Sequence, residues 1–298
     1  MGDGTGAHPT AAHGSSAAAA GPRGSGEGTS LASVLRAIGP CLVAVSGGVD
    51  SLTLATAAHR LVPGRVRMLH AVSPAVPPAA TARVRALAAR EGWSLDTVDA
   101  GEFDDPLYRA NPADRCFHCK SGLYGTMARH ARGRAMLSGT NTDDLGDWRP
   151  GLRAAAAHGV RHPYVEAGMD KAAVRALAGA LGLPDIAALP AAPCLSSRIE
   201  TGLAIRADDL ALVDRVERGL RALLPGADLR CRRRARGWEV EIAADALAGA
   251  EAGLVRALRA AIVRAAGRPM PLVPYRRGSA FLRETLAPPA NARPGGDA

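Results

Sequence analysis

Ser46-Gly47-Gly48-Val49-Asp50-Ser51 stands between a continuous apolar run, Cys41-Leu42-Val43-Ala44-Val45, and a stretch of helical patterning over residues 50–61. Glycines let a backbone turn tightly and bring bare N–H groups close to an anion. The helix that follows presents its free N–H groups and positive dipole end to the same anion. Ser46 and Ser51 add hydroxyl donors, and Asp50 can hold Mg²⁺ or cap the helix. The loop is not a Walker A motif, because no Gly-Lys-Ser/Thr closes it. A plain strand–turn–helix with a serine cap is the simpler alternative, but the full hexapeptide in this context favours phosphate binding.

Thiols form the second group. Cys116-Phe117-His118-Cys119 places two of them at C-x-x-C spacing where a helix should begin. A helix N-terminus lowers a thiol pKa, as suits a metal ligand or a nucleophile. Zinc, iron–sulfur and redox pairs all use this spacing. A third thiol, Cys194, follows 75 residues later in Ala192-Pro193-Cys194-Leu195-Ser196-Ser197-Arg198. Three thiols complete a tetrahedral zinc site only if a histidine joins them, whereas three suffice for a 4Fe–4S cluster with one iron open to a foreign ligand. Cys41 in the first apolar run is expected to be a core residue, and Cys231 is assigned no chemistry.

The elements that must position these groups alternate. After the strand at 41–45 and the helix at 50–61, the pattern predicts a strand over 65–72, a helix over 78–91 and a weaker strand over 94–98. A helix over 116–132, a strand over 134–137 and a helix over 169–181 follow, the last closed by Gly182 and Pro184. Such alternation argues for an α/β fold with a doubly wound parallel sheet. After Pro190 the texture changes to a helix over 207–224, strands over 228–233 and 238–242, one long Ala-rich helix over 244–266 and a last strand near 272–275. The expected organisation is therefore a tail (1–30), an α/β domain (31–190), a smaller α+β domain (191–286) and a second tail (287–298). Both tails are too poor in large apolar residues to offset their ordering entropy and are expected to be disordered.

The chain has 298 residues and a formal net charge of +9, and of its 37 basic residues only Lys120 and Lys171 are lysines. The densest basic run, Arg230 to Arg236, has Trp238 as its only aromatic neighbour, so no stacking platform for single strands is evident. Coding bias over solvated helix faces accounts for the charge, and small anions suit it equally; a nucleic-acid partner is not expected. No stretch reaches the ~18 apolar residues of a membrane helix, and no secretory signal is visible. Five cysteines do not make a disulfide framework, which fits a reducing cytoplasm.

The hexapeptide closely resembles the SGGxDS signature of PP-loop ATP pyrophosphatases, which split ATP into AMP and pyrophosphate while adenylating an oxygen. That resemblance implies ATP binding by Ser46, Gly47, Gly48, Val49, Asp50 and Ser51, with His70 at the end of the second strand near the adenine. Ser138-Gly139-Thr140-Asn141-Thr142-Asp143-Asp144 resembles the family's second ATP-proximal loop. Gly139, Thr140 and Asn141 would then touch ATP, and Asp143 and Asp144, with Asp50, would hold the Mg²⁺ that neutralises the leaving pyrophosphate. As plain structure, Asn141 and Asp143 are also good helix caps.

The series Asn111-Pro112-Ala113-Asp114-Arg115-Cys116-Phe117-His118-Cys119-Lys120, the loop from Gly139, Arg149-Pro150-Gly151 and Pro193-Cys194-Leu195-Ser196-Ser197-Arg198 resembles the LarE family in order. These are sulfur transferases that build the nickel-pincer cofactor of lactate racemase, and the likeness runs from about residue 31 to 242. It implies a substrate, pyridinium-3,5-biscarboxylic acid mononucleotide, whose carboxylates are adenylated and converted to thiocarboxylates. Some members sacrifice the sulfur of the Pro-Cys-Leu cysteine; others carry three cysteines on a 4Fe–4S cluster whose open iron holds the extra sulfide. With Cys116, Cys119 and Cys194 all present, the cluster reading leads. The resemblance further implies catalytic roles for these thiols, Asp50 and Arg198. It places the substrate phosphate at Arg230 and Arg232, which share one strand face, with Ser197 and Glu217 nearby, and it implies a homo-oligomer. Competing readings are a tRNA-thiolating PP-loop enzyme and an ammonia-using amidotransferase or NAD synthetase-like enzyme. A nucleotide-binding protein with a structural zinc is a third.

Overall fold

The apolar run after Pro40 forms β1 (Cys41–Ala44), and its side chains alternate between two cores. Cys41 and Val43 enter one core while Leu42 enters the other, as the two-residue period of a strand requires. Both faces are therefore covered, the condition for a buried parallel strand. The structure is a computed structural model and describes residues 1–2, 29–146, 150–191 and 193–282. The tail expectations fall almost wholly outside these residues, as do Arg149 and Ala192.

Around β1 the chain places α1 (Leu31–Ile38), α2 (Val49–Leu61), β2 (Val66–Ala71), α3 (Pro78–Glu91) and β3 (Leu95–Val98). There follow α4 (Pro106–Arg109), α5 (Arg115–Ala131), β4 (Ala135–Leu137), α6 (Pro150–Ala157), α7 (Pro163–Glu166), α8 (Lys171–Ala180) and α9 (Pro184–Ala187). The four strands are parallel in the order β3-β2-β1-β4. One core gathers Leu35 of α1, Leu52 of α2, Val84 of α3 and Val174 of α8; the other gathers Tyr124 and Met127 of α5 and Ala154 of α6. The chain runs outward from β1 through β2 to β3, then crosses to the other side of β1 for β4. Between β1 and β4 lies a topological switch point, where loops leaving the strand ends diverge and ligands bind in such sheets.

The remaining elements are α10 (Ala207–Arg221), β5 (Leu229–Arg234), β6 (Gly237–Ile242), α11 (Ala244–Ala248), α12 (Ala252–Ala266) and β7 (Leu272–Pro274). β5 pairs antiparallel with β6, and β6 pairs parallel with β7. Leu210, Val213 and Leu220 of α10 pack with Cys231, Val240 and Leu258 in a third core. Ala75 and Tyr108, from before the Pro190 texture change, also belong to this core, so the two parts share packing rather than merely abutting. The single Ala-rich helix expected over 244–266 is two: α11 ends at Gly249, and Glu251 caps α12. No residue of α11 is fully buried, although Ala246 and Leu247 pack against the third core, and the glycine that follows disfavours continuing the helix. Among the described residues, no helix is long and apolar enough to cross a membrane.

Gly47 has a φ of 83°, and a Cβ there would lie 2.8 Å from the carbonyl oxygen of Ala80. Replacing Gly47 by Ala should lower stability by roughly 1–3 kcal/mol, read as an earlier urea midpoint at unchanged slope.

Candidate functional site

The two loops at the switch point are pressed together. A Cβ on Gly139, after β4, would lie 2.9 Å from both Asp50 C and Ser51 N in the first turn of α2, so only glycine allows this approach. Within the first loop, the Ser46 N–H donates to Ser51 Oγ at 3.0 Å, and the Ser51 hydroxyl donates to the Gly48 carbonyl at 3.2 Å. The turn is thus closed around the start of α2, where the N–H groups of a helix's first turn have no carbonyl partner within the helix.

Asp50 is the meeting point. Its carboxylate accepts from Asn141 Nδ2 at 3.2 Å and from Lys171 Nζ at 2.5 Å, while the Tyr164 hydroxyl donates to its backbone carbonyl at 3.1 Å. The second loop is stiffened by a capping box in which Asn141 Oδ1 accepts from Asp143 N at 3.1 Å and Asp144 Oδ2 accepts from Asn141 N at 3.2 Å. Asp143 also accepts from Lys171 N at 3.2 Å. Lys171 therefore ties both acidic residues at the first turn of α8; it was not singled out from the sequence, although being one of two lysines was a signal. Arg83 of α3, whose guanidinium donates to the Gly47 carbonyl at 2.6 Å, left no such signal, because only the fold brings α3 to the loop.

His70 departs from its expected role. It is fully buried, with Nδ1 2.7 Å from the Val45 carbonyl and Nε2 2.9 Å from Thr81 Oγ1. A carbonyl can only accept, so Nδ1 carries the proton and Nε2 accepts from the threonine. Burial pushes its pKa down, which keeps the ring neutral. The imidazole is a strut joining β2, the end of β1 and α3, with no ring atom left for an adenine.

The three thiols named from the sequence lie on two segments, and the charges of Cys194 and Cys116 both act on Cys119. Cys116 and Cys119 lie in the first turn and a half of α5, with Lys120 beside them; Cys194 is exposed on the loop before a short 3-10 turn, Leu195–Arg198. Burial pushes the Cys119 thiol up to about 12; Lys120 opposes this, while Cys194, Glu102 and Cys116 add to it. Desolvation thus outweighs the expected helix-terminus depression. Burial pushes Lys120 down, but Tyr124 and the three thiols outweigh it and raise its pKa. Gly151 of α6 makes room for that lysine, since a Cβ there would lie 3.1 Å from Lys120 Cγ. Tyr108 is buried and hydrogen-bonds Ser196 Oγ at 2.6 Å, joining α4 to the Cys194 turn. Among the described residues, no group of three His, Cys, Asp or Glu side chains is arranged to hold a single metal ion. The thiols are soft donors carried on two separate segments.

Behind Cys194 lies an ion pair. Arg198 and Glu217, both buried, bond through Nε–Oε1 and Nη2–Oε2, each at 2.9 Å. The remaining arm of Arg198 donates to the carbonyls of Pro193 at 2.6 Å and Cys194 at 3.0 Å, and to Ser197 Oγ at 3.0 Å. Glu217 also accepts from Arg221 at 2.7 Å and from Cys231 N at 3.1 Å. Both residues are therefore committed to the protein interior. Arg232 is committed too: its Nε meets Glu241 at 2.9 Å and its Nη1 donates to the Ser197 carbonyl at 3.0 Å. Arg230 sits opposite Glu241 in the β5–β6 register, yet that carboxylate is taken by Arg232 and Arg234. Among the described residues, the nearest carboxylate contact of Arg230 is 3.9 Å, to Asp228, and its guanidinium lies 5.5 Å from the Tyr275 ring centroid. Burial, then the Arg198 charge, pulls its pKa down, marking a place short of negative charge. The expected two-arginine clamp is thus one available guanidinium, Arg230, beside a structural one. Cys41 and Cys231 are core residues whose thiols burial raises.

Glu217→Ala would strand the Arg198 charge in the interior and should cost about 3–5 kcal/mol, measured by chemical denaturation. Burial pushes the Glu217 carboxyl up, but Arg198, with Arg221 and Arg230, wins and holds it below its usual 4.5. Its stabilisation is therefore present above pH 4.5 and lost as the pH falls through the lower, folded value. Glu217→Gln should show a shallower loss of stability across that acid range than the parent.

No family model matches the chain. It is 39% identical over 187 residues to an uncharacterized protein of Synechocystis sp., covering 61% of this chain and 69% of that one. It is 30% identical over 197 residues to the pyridinium-3,5-bisthiocarboxylic acid mononucleotide synthase of Lactiplantibacillus plantarum, covering 65% and 71%. An uncharacterized protein of Methanocaldococcus jannaschii is 25% identical over 199 residues, covering 62% and 71%. With the synthase spanned over that share of its length at that identity, the chain belongs to the LarE family.

Proposed function

We propose that the protein is an ATP-dependent sulfur transferase that converts the carboxylates of pyridinium-3,5-biscarboxylic acid mononucleotide to thiocarboxylates. The observation that carries this reading is the joining of the Cys194 turn to the basic strand β5. Arg198, Glu217 and the Cys231 N–H make one link, and Arg232 and the Ser197 carbonyl make another. A sulfur site and an anion site are thereby held at fixed separation, which a reaction on a phosphorylated small molecule needs. The synthase of L. plantarum supports the substrate class.

A carboxylate is a poor electrophile because its oxygen leaves poorly. In the proposed reaction that oxygen attacks the α-phosphorus of ATP, pyrophosphate departs, and a sulfur nucleophile then displaces AMP from the acyl carbon. The β1 loop and the first turn of α2 cradle the pyrophosphate end. Asp50 and the acidic loop would hold the Mg²⁺ that arrives with the nucleotide, and bound there it would offset the charge of the leaving pyrophosphate. In the structure as described, Lys171 stands on Asp50 and supplies the positive charge there. Arg230 takes the phosphate of the substrate, and Arg198 and Glu217 position the thiol turn rather than touch substrate.

Cys116, Cys119 and Cys194 would hold a 4Fe–4S cluster, which when bound supplies an iron open to a soft anion such as sulfide. The domain division at about Pro190, a cytoplasmic location and a homo-oligomeric state belong to the same reading.

Turnover should release AMP and pyrophosphate, and Asp50→Asn should abolish it with an unchanged circular dichroism spectrum; ADP and phosphate as products would remove the protein from this class. Iron should accompany anaerobically purified protein, and zinc without iron would instead favour a structural metal. The protein mass should be unchanged after reaction. A loss of about 34 Da, the hydrogen sulfide given up when a thiol becomes dehydroalanine, would make Cys194 the sacrificed donor.

A further inference from the structure

Asn111 opens the run of residues that leads to Cys116, and nothing described above uses it. It is fully buried and holds a φ of 57°, a left-handed backbone that residues with side chains seldom adopt and that asparagine tolerates best. Its side chain is saturated. Nδ2 donates to the Glu200 carbonyl at 2.8 Å and the Leu203 carbonyl at 3.0 Å, with the Ile199 carbonyl at 3.4 Å. Oδ1 accepts from Arg115 Nη1 at 2.7 Å. A guanidinium can only donate and a carbonyl can only accept, so the amide has a single satisfactory orientation.

The two segments it joins are those that carry the thiols. Asn111 lies five residues before Cys116, and the first carbonyl it holds, that of Ile199, lies five residues after Cys194. Around this amide, residues 108–111 grip residues 196–205 at further points. Tyr108 Oη hydrogen-bonds Ser196 Oγ at 2.6 Å, the Gly202 N–H donates to the Asn111 carbonyl at 2.9 Å, and the Ile205 N–H donates to the Arg109 carbonyl at 2.8 Å. On the other side, Arg115 is the first residue of α5 and is buried beside Cys116, its guanidinium 5.4 Å from the Phe281 ring centroid. The Asn111 amide is therefore a joint. One end is fixed on the residue that starts the helix of Cys116 and Cys119, the other on the backbone that leaves the Cys194 turn.

We propose that Asn111 is a positioning residue for sulfur transfer: it sets where the Cys194 turn stands relative to Cys116 and Cys119, without touching substrate. This rests on the three-thiol reading given above. The Arg198–Glu217 pair already ties the same turn to β5 through the Cys231 N–H, so the turn is referenced twice, once to the basic strand and once to α5. Loss of the Asn111 amide leaves the first tie and releases the second. The turn then stays on α10 and β5 but no longer keeps its place against α5.

The test treats the full-length chain, reduced and free of metal, with dibromobimane, which links two thiols that stand close together; peptide masses identify the linked pairs. The parent should give a link from Cys194 to Cys116 or Cys119, as well as a Cys116–Cys119 link within α5, where side chains three apart are neighbours. Asn111→Asp keeps the acceptor that faces Arg115 and the tolerance for a left-handed backbone, but it turns the donor into an acceptor facing three carbonyls. Linking of Cys194 should fall about tenfold, equivalent to ~1.4 kcal/mol, while the link within α5 and the far-ultraviolet circular dichroism stay as in the parent. Asn111→Gly suits the backbone and lacks the amide; it should lose the Cys194 link to the same degree, and it carries the test should Asn111→Asp fail to fold. Parent-like linking of Cys194 in either folded variant would overturn the assignment. So would a fall in both links together, since that marks a general loosening rather than a lost joint. A parent that forms the link within α5 but none to Cys194 would instead remove the three-thiol reading itself, and the positioning role with it.

Discussion

Glu217 satisfies four donors with one side chain: two from Arg198, one from Arg221 and the backbone N–H of Cys231. A charge buried this deeply survives only if every lone pair is used, and here they are used by groups from three different segments. The consequence is spatial. Because Arg198 is locked by two bonds, its remaining arm can hold the Pro193 and Cys194 carbonyls in one arrangement. Because Cys231 is gripped at its N–H, the strand that presents Arg230 cannot slide relative to that arrangement. Remove the carboxylate and the sulfur turn and the basic strand lose their common reference.

The switch-point end of the site is organised differently, by backbone proximity as well as by charge. Gly139 lets the loop after β4 lie directly on the first turn of α2, and Asp50 is then held from both loops and from α8. The sheet order makes this possible, since β1 and β4 are neighbours although β2 and β3 intervene in sequence. The protein is held at one end through a buried ion pair and at the other through glycine-permitted contact. The third core links them, because Tyr108 and Ala75 from the first part pack with α10 and β5.

Much of this was legible in the residues. The strand–helix alternation and the parallel sheet could be read, because the period of apolar residues is a local signal. What could not be read depends on who pairs with whom. Arg230 and Arg232 are equivalent by spacing, and only the diagonal use of Glu241 by Arg232 and Arg234 separates them. His70 sits where a ligand contact is plausible, yet two internal hydrogen bonds use up its ring. Lys171 and Arg83 carry no motif at all; their contacts come from elements far apart in sequence folding onto the same few ångströms. The break at Gly249 is a smaller case: composition favours one helix, but no residue of α11 is fully buried and the glycine ends it.

The two lysines have a further consequence. In a chain of 37 basic residues, Lys120 and Lys171 are the only side-chain amines, and each stands at one end of the site: one among the thiols, one on Asp50. Arginine serves everywhere else, as a planar, permanently charged fork suited to fixed pairing, whereas an ammonium is a compact point charge on a rotatable stem. The chain therefore distinguishes cations that hold architecture from cations free to change partners. It also follows that an acylating reagent meets no side-chain amines but these two, so that the Asp50 end and the thiol end can be reported on separately in the intact protein.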